Sequence, residues 1–339
     1  MDSYKRLKHI HENLLKTFVK SKSVNTSTLI TEYDTPKHLE KFNFPNLTYE
    51  SNFKNKLSEA QEIGLLTSSE SKTRFEMIVL SLQKSRLEAL MQVASAYHQT
   101  KNNGLIFIEG SKRVGIDSTI KSLSKLIDLE FVTPKAHGKI AVIKVISNKV
   151  DKFNEWIELL EPQRNSAGFF TIPGLFSYKN VDPASQFLAS KFNEKIYGDV
   201  VDLGAGWGFL SSEALKKSLL IDTITLVDND LRAIKTAKLN VKNSKAIFNW
   251  MHFSETTNSD KKYDAAICNP PFHIGSETDI SLGKSFINTI SKILKKNGQL
   301  WLVANIHLPY ENVIDDLFHK HETIGKNKFF KIILAGNPK

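Results

Sequence analysis

Short apolar runs alternate with amphipathic stretches along most of the chain, and in the first half the alternation becomes clear at about residue 74. Buried strands are predicted at 77–82, 105–109 and 139–145, and helices at 87–94, after Gly115 and around Trp156. This alternation is typical of an α/β fold with a largely parallel sheet. Residues 1–70 open with a helical pattern at about 4–21, but the polar stretch that follows does not reveal a role.

The second half repeats the alternation and predicts a second sheet. Its strands are predicted at 199–203, 224–228, 245–252 and 265–268. A chain of 339 residues is long enough to fill two domain cores. Proline, glycine and polar residues cluster between 161 and 168, so we expect the domains to comprise residues 1–165 and 166–339.

Three glycines separate the strand at 199–203 from a helix that begins at Phe209. Gly204, Gly206 and Gly208 allow the backbone to turn tightly and to approach a ligand closely. A dinucleotide fingerprint would need its third glycine at position 209, so that kind of site is not predicted. For this spacing alone, the alternative is an ordinary tight turn.

An acidic residue ends the next strand, about 20 residues beyond the glycines. The carboxylate of Asp228 suits the two hydroxyls of a ribose at that place in a sheet. Asp230 lies in the following turn and is predicted to be the N-cap of the next helix. The third strand ends in Trp250, Met251 and His252, whose side chains either line the same pocket or pack in the core.

The tetrapeptide Asn269-Pro270-Pro271-Phe272 follows the fourth strand, at the edge where open α/β sheets bind ligands. The side-chain carbonyl of Asn269 can accept a hydrogen bond from an exocyclic amino group, and the prolines, without N–H groups, offer only carbonyl acceptors. Phe272 adds a ring on which a flat base can stack. The tetrapeptide predicts a slot for a planar, amine-bearing group; the alternative is a rigid turn with a buried phenylalanine.

In their order and spacing, these four motifs resemble those of the small-subunit ribosomal RNA guanine-N2 methyltransferases, which are Rossmann-like and use S-adenosylmethionine. Segments at 171–188, 297–310 and 329–335 are similar to further parts of that family, and the resemblance covers about half of the chain. It implies an α/β fold of two tandem Rossmann-like methyltransferase domains. The N-terminal domain would be a degenerate copy that supports the other and binds RNA. The C-terminal domain would be catalytic, with a mostly parallel seven-stranded sheet and helices on both faces.

The resemblance also implies functional residues. Asn269, Pro270, Pro271 and Phe272 would be catalytic. The residues that bind S-adenosylmethionine would be Phe176, Ser177, Asp202, Gly204, Ala205, Gly206, Gly208, Asp228, Asn229, Trp250, Met251 and His252. Two positions depart from the family's pattern: Ala184 replaces a glycine, and His252 replaces an acid that accepts from the adenine amino group in many relatives. No metal site is implied.

The charge of the chain bears on its partners. A formal net charge of +10 and a sequence pI near 9.3 favour a polyanion, namely ribosomal RNA or the small ribosomal subunit. The alternative is that the lysines form an ordinary solvated surface. Candidate RNA-facing clusters are Lys112, Arg113, Lys135 and Lys139, and separately Lys326, Lys328 and Lys331. The turn at 110–115 half matches a phosphate-binding P-loop, but Ile116 and Asp117 replace the Lys–Ser/Thr pair, so no triphosphate site is predicted.

Cysteine content and hydropathy indicate the compartment. Cys268 is the only cysteine, so a disulfide framework is excluded and a reducing cytosol is expected. No apolar stretch approaches the roughly 18 residues of a membrane span, and the first residues lack the apolar core of a signal peptide. We expect a cytoplasmic monomer that does not contact membranes.

The sequence therefore predicts an enzyme that transfers a methyl group from S-adenosylmethionine to the exocyclic N2 of a guanine in 16S ribosomal RNA. Two alternatives stay open at this stage. The acceptor could be adenine N6 or a protein glutamine, because methyltransferases of those classes use similar tetrapeptides. The chain could also be a non-catalytic ribosome-assembly factor that binds RNA.

Overall fold

The structure is a computed structural model that describes residues 1–19, 26–146, 150–271 and 280–339, together with the backbone of 273, 274, 277 and 278. The chain divides into two compact units, Met1–Glu161 and Pro162–Lys339. Each unit contains its own seven-stranded sheet.

The first unit begins with helices and continues as an α/β sheet. Its strands are β1 (Thr28–Thr31), β2 (Leu47–Glu50), β3 (Leu66–Ser68), β4 (Phe75–Ser81), β5 (Thr100–Ser111), β6 (Phe131–Lys135) and β7 (Gly138–Lys144). Its helices are α1 (Asp2–His9), α2 (Leu15–Phe18), α3 (Lys54–Glu62), α4 (Arg86–Gln99), α5 (Ile116–Leu123) and α6 (Asp151–Glu158), with a π-helical turn at Ile10–Leu14 and 3-10 turns at Pro36–Lys41 and Lys112–Val114. The strand order is β3-β2-β1-β4-β5-β7-β6, and β7 runs antiparallel to the other six strands.

The strands predicted in this unit correspond to β4, β5 and β7, but the hydrophobic pattern missed the exposed edge strand β6 and the short strands β1, β2 and β3. These three strands have only three or four residues each, and β2 is half-buried along most of its length. Such short segments carry little of the period-2 signal by which a strand is identified. The polar stretch after the N-terminal helix thus supplies one side of the sheet.

At the carboxyl end of β1, the first unit satisfies its own polar groups. Glu32 has a left-handed backbone (φ 56°) and a buried side chain. Its carboxylate accepts hydrogen bonds from the Ser51 hydroxyl and the Asn52 N–H, both at 2.9 Å. Gln83, after β4, donates to the Glu32 carbonyl at 3.1 Å. Side chains of the unit therefore bind one another where a ligand would lie in an open α/β sheet.

The second unit repeats the same strand order. Its strands are β8 (Gln163–Arg164), β9 (Phe170–Thr171), β10 (Gly198–Leu203), β11 (Ile221–Asp228), β12 (Ala246–Trp250), β13 (Tyr263–Cys268), β14 (His273–Ile274), β15 (Glu277–Thr278), β16 (Leu294–Asn305), β17 (Phe318–Lys326) and β18 (Phe330–Pro338). Its helices are α7 (Pro183–Ala189), α8 (Phe209–Lys217), α9 (Leu231–Asn240), α10 (Ile280–Ile293) and α11 (Tyr310–Leu317), with a 3-10 turn at Phe253–Asn258. The main sheet runs β12-β11-β10-β13-β16-β18-β17, with β18 antiparallel; β8 pairs with β9 and β14 with β15.

Both faces of this main sheet are buried. Val201 and Ala266 contribute to one core cluster together with α10 and α11, whereas their neighbours Val200 and Ala265 contribute to another with α7, α8 and α9. Strands buried on both faces read as largely apolar runs: residues 265–268 are apolar throughout, whereas 199–203 contains Asp199 and the buried Asp202. The structure confirms the predicted mostly parallel seven-stranded sheet with helices on both faces.

The fifth strand of each main sheet has the same shape. Both β5 and β16 are 12 residues long, and the first, fifth and seventh to eleventh residues of each are buried. The fifth residue is a glycine in both cases, Gly104 and Gly298. A Cβ added to either glycine would lie within 2.9 Å of a backbone carbonyl oxygen, so the bend admits no side chain.

Candidate functional site

Several loops of the second unit line an open cleft beside the carboxyl ends of β10 and β13. The cleft brings together six of the predicted site residues, which are Phe176, Ser177, Gly204, Ala205, Gly206 and Asn269. It also brings in Asp182, Ser185 and Trp207, which were not predicted as site residues. The location follows the general rule that ligands bind beyond the carboxyl ends of strands in α/β sheets.

The glycine turn leaves β10 with left-handed backbone conformations that glycine adopts without strain. Gly206 has φ 54°, and a Cβ placed on it would meet no atom within 4 Å, so this part of the turn is open. Gly208 has φ 86° and packs against α9, because a Cβ there would lie 2.9 Å from Val241 Cγ2. The first position leaves room for a ligand to approach the backbone, and the second keeps α8 close to α9.

Asp228 lies at the end of β11 and is held by the glycine turn. Its Oδ2 accepts from the Gly206 N–H and its Oδ1 from the Asp230 N–H, both at 2.8 Å. Burial raises the pKa of Asp228 to about 6, and the charge of Asp230 acts in the same direction. A carboxylate has about four lone-pair positions, so Asp228 can accept a further donor beside the backbone N–H groups of Gly206, Asn229 and Asp230. Asp230 itself caps α9 by accepting from the Arg232 N–H at 2.9 Å, which confirms the predicted N-cap.

Asp202 lies beneath the glycine turn and does not line the cleft. Its side chain is fully buried, and its Oδ2 accepts from the Ser211 hydroxyl at 2.7 Å. Its Oδ1 is buried without a hydrogen-bond partner in the part of the chain that the structure describes. Burial raises the pKa of Asp202 to about 7, and the nearby charge of Asp228 adds to this effect.

Asn269 follows β13 and is tied to the N-terminus of α7. Its side-chain Nδ2 donates to Asp182 Oδ2 and to Ser185 Oγ, both at 2.9 Å. The side-chain carbonyl Oδ1 is left as the acceptor of the amide. Pro270 is buried and Pro271 is exposed. Phe272, the predicted stacking residue, lies outside the described residues.

The residues predicted beyond β12 lie beside Asp228 rather than in the cleft lining. Trp250 pairs with Asp228 across β11 and β12, and its Nε1 donates to the Asn229 carbonyl at 2.9 Å. The Met251 N–H donates to the Asp228 carbonyl at 3.1 Å. His252 Nδ1 lies 2.8 Å from Ser254 Oγ, and burial lowers the pKa of His252, which favours the neutral ring. The role of these residues in binding a cofactor stays a prediction.

Two residues that were not predicted from the sequence fix the wall of the cleft. Trp207 donates from Nε1 to the Phe176 carbonyl at 3.0 Å. Asn240, at the end of α9, donates from Nδ2 to the carbonyls of Phe170 and Trp207, both at 2.8 Å, and accepts from the Phe170 N–H at 2.7 Å. These bonds join the segment before α7 to the glycine turn. Their partners are 31 to 70 positions apart, so no local pattern could have shown them.

The predicted RNA-facing clusters are only partly exposed. Lys112, Arg113, Lys135, Lys326 and Lys328 are exposed. Lys139 is half-buried and forms an ion pair with Asp117 at 2.7 Å.

Lys331 was wrongly assigned to an RNA-facing surface. It is 7% exposed, and its Nζ contacts both carboxylate oxygens of Glu311, at 2.6 and 2.7 Å. The charge of Lys331 is therefore paired within the second unit and does not face RNA, because Glu311 has replaced the water around it.

The residues that the structure describes contain no group of three or more His, Cys, Asp or Glu side chains that could hold a metal ion. No helix among the elements given above is both long and apolar enough to cross a membrane.

Comparisons with known proteins agree with this geometry. The family described as "Methyltransferase small domain" matches residues 166–334, and "Methyltransferase small domain N-terminal" matches residues 14–132. The chain is 30% identical over 292 residues to the Ribosomal RNA small subunit methyltransferase C of Yersinia pseudotuberculosis, covering 83% of this chain and 80% of the relative. It is 28% identical to the protein of the same name from Psychromonas ingrahamii, covering 86% of this chain and 84% of that one.

A solved structure shows the same fold. It is that of the T. thermophilus 16S rRNA N2 methyltransferase in complex with AdoMet and guanosine. The TM-score is 0.75 at 19% identity, and the match covers 95% of this chain and 91% of that one. From the identity and coverage of the sequence relatives, the chain belongs to the ribosomal RNA small subunit methyltransferase C family.

Proposed function

We propose that this protein transfers a methyl group from S-adenosylmethionine to the exocyclic N2 of a guanine in 16S ribosomal RNA, and that the cleft of the second unit is its active site. One observation carries the assignment of the site. The Asn269 amide is anchored through its nitrogen in the same cleft as the glycine turn, so its carbonyl oxygen stays available to an amine. The names of the sequence relatives support ribosomal RNA as the substrate.

The residues around the glycine turn fit S-adenosylmethionine. The space above Gly206 is open, and the half-buried Asp228 carboxylate lies at the edge of the turn. Hydroxyl groups of a ribose that donate to this carboxylate would offset the burial that raises the pKa of Asp228 to about 6. Phe176, Ser177, Ala205 and the residues beyond β12 complete the proposed cofactor-binding set. When bound, S-adenosylmethionine supplies an electrophilic methyl group on a sulfonium.

The acceptor side of the cleft orients the guanine amine. The lone pair of that amine is delocalised into the ring, so the free base is a poor nucleophile. The carbonyls of Asn269 and Pro270 accept its N–H groups and favour a pyramidal nitrogen with a localised lone pair. Holding two reactants in line can lower a barrier by up to about 7–11 kcal/mol, so a strong base is not required. The same carbonyl dipoles stabilise positive charge that develops on the nitrogen.

Guanine is favoured over the other acceptors by the relatives rather than by the tetrapeptide. The T. thermophilus neighbour was solved with guanosine, and the curated relatives are named for ribosomal RNA. A stacked, paired guanine could not reach the cleft. The substrate base must be unpaired or flipped out, at a cost of a few kcal/mol.

We assign the catalytic role to residues 166–339 and a supporting, RNA-binding role to residues 1–165. In the first unit the Glu32 carboxylate bonds to Ser51 and Asn52 in the place that corresponds to the glycine turn. The exposed Lys112, Arg113 and Lys135 offer positive charge to a phosphate backbone. The protein acts as a cytoplasmic monomer in this proposal.

A deletion strain provides the test. Mass spectrometry of its 16S ribosomal RNA should show the loss of one N2-methylguanosine, restored by the wild-type gene but not by Asn269→Ala. An unchanged N2-methylguanosine content would reject the guanine assignment. Restoration of the modification by Asn269→Ala would reject the assigned role of Asn269. If subunit assembly rather than methylation failed in the deletion strain, the chain would be an assembly factor.

A further inference from the structure

We propose that Asp182 and Ser185 are positioning residues that set the orientation of the Asn269 amide and thereby make the cleft selective for an amine donor. This inference rests on the proposed function and deepens it. The two residues, called here the amide clamp, come from the start of α7 and lie 87 and 84 positions before Asn269.

The chemistry of the clamp leaves one orientation of the amide. Asn269 Nδ2 is 2.9 Å from Asp182 Oδ2 and 2.9 Å from Ser185 Oγ. An ionised carboxylate only accepts hydrogen bonds, so the nitrogen rather than the oxygen of the amide must face Asp182. Both N–H groups are then engaged, and Oδ1 is the polar atom that remains for a ligand.

The orientation matters because a primary amide is nearly symmetric in shape but opposite in chemistry at its two ends. Rotation by half a turn would present N–H donors to a guanine amine, which is itself a donor. Two donors would then face each other, so the guanine would be repelled and the lone pair of its amine would not be aligned. A misplacement of about 1 Å at a reacting group can cost about 100-fold in rate, and a reversed amide is a larger error.

The clamp is itself firmly held. Asp182 is the N-cap of α7, where its Oδ2 also accepts from the Ser185 N–H at 2.8 Å, and Pro183 occupies the first turn. Ser185 is 9% exposed. Since the same carboxylate oxygen caps the helix and binds the amide, the position of α7 is transmitted directly to Asn269.

Variants can separate the clamp from simple helix capping. Asparagine is as good an N-cap as aspartate, so Asp182→Asn should preserve the helix while replacing a pure acceptor by a group that can also donate. We expect kcat for ribosomal RNA to fall about 10–100-fold in Asp182→Asn and about 3–10-fold in Ser185→Ala, in the range of lost charged and neutral hydrogen bonds. The affinity for S-adenosylmethionine, measured by calorimetry, should stay within about twofold of wild type, because the clamp acts on the acceptor side.

Ser85→Ala is the matched control, since Ser85 caps α4 by accepting from the Glu88 N–H in the other unit. It should leave kcat unchanged.

A double-mutant cycle gives the sharpest readout. Asn269→Ala removes the amide and should lower kcat about 100–1,000-fold, as for the loss of one transition-state hydrogen bond. With no amide left to orient, Asp182→Asn should cause no further loss in that background. A tritium-labelled methyl donor gives the sensitivity that these slow variants require.

Three results would overturn the proposal. The first is an unchanged kcat in both clamp variants. The second is a further fall in kcat when Asp182→Asn is added to Asn269→Ala. The third is a fall in S-adenosylmethionine affinity as large as the fall in kcat, which would place the effect in the cofactor pocket.

If wild type transferred no methyl group to guanine, the proposed function would fail on its own, and NMR would still test the clamp. The Asn269 side-chain amide signals, identified by their absence in Asn269→Ala, should exchange hydrogen slowly in wild type and faster in Asp182→Asn. Equal rates would reject the clamp.

Discussion

Asp202→Asn should stabilise this protein at alkaline pH and lose that advantage in acid. The buried carboxyl has a pKa raised from 3.8 to about 7, because burial penalises its charged form. Its folded pKa exceeds its unfolded pKa, so the folded state binds more protons between these values. The free energy of unfolding therefore falls as the pH rises through this window.

The size of the effect follows from the shift. At about 1.4 kcal/mol per pKa unit, the raised pKa lowers the free energy of unfolding by about 4 kcal/mol at pH 8 and by about 2 kcal/mol at pH 5. An asparagine avoids this cost but places an N–H group where Oδ1 has no partner among the described residues, at a penalty of about 1–3 kcal/mol. We expect a net gain of about 2 kcal/mol at pH 8, or roughly 4–8 °C in Tm, that declines to about zero at pH 5.

Scanning calorimetry of the full chain at several pH values between 5 and 8 measures this difference. Asp199→Asn is the matched control on the same strand, because a hydrogen bond from Thr223 lowers the pKa of Asp199. That variant should lose stability relative to wild type by an amount that stays constant between pH 5 and 8, because the pKa of Asp199 lies at or below 3.8 in both the unfolded and the folded state. A Tm difference for Asp202→Asn that does not change with pH would refute the reasoning, since the pKa of Asp202 would then be the same in the folded and the unfolded state.

Two further predictions concern the ligands. The affinity for S-adenosylmethionine should fall by up to about tenfold per pH unit below the pKa of Asp228, which is about 6, because a protonated carboxyl accepts fewer hydroxyl bonds. Calorimetry should show an affinity that does not change with pH for Asp228→Asn and the wild-type pH dependence for Asp222→Asn, an exposed residue of the same strand. The same pH dependence in all three proteins would contradict the assignment. Replacing Lys112 and Arg113 together by alanine should raise KM for ribosomal RNA with little change in kcat. The same double variant should reduce the salt dependence of RNA binding by about two ions. A salt dependence equal to that of wild type would exclude this cluster from the RNA-binding surface.

The sequence predicted the elements around the glycine turn because their signals are local. Asp230 caps a helix that begins and ends where its pattern does, at Leu231 and Asn240. The apolar run at 265–268 marked β13, and Val200, Val201 and Leu203 marked β10, because both faces of those strands are buried. The short strands β1, β2 and β3 gave no comparable signal, since propensity over three or four residues is weak beside tertiary pairing.

The parts of the site that could not be predicted depend on contacts between distant segments. The sequence places Asn269 after a strand, but nothing near it shows that Asp182 will bind its nitrogen. Lys331 fails for the same reason, because a lysine near the end of the chain looks exposed until Glu311 on α11 is placed against it. Local patterns identify which residues carry chemistry, and only the fold shows which of them neutralise one another.

The matching shapes of β5 and β16 have a consequence for the history of the molecule. A buried glycine after an asparagine opens the same bend in both strands, at Gly104 and Gly298, although one strand lies in the unit with the glycine turn and the other does not. Two copies of one ancestral domain would share this bend, because both copies would retain the strands of the sheet while the loops beyond the strand ends changed in one. The first unit thus serves as an internal reference: features common to both copies report on folding, and those confined to the second report on catalysis.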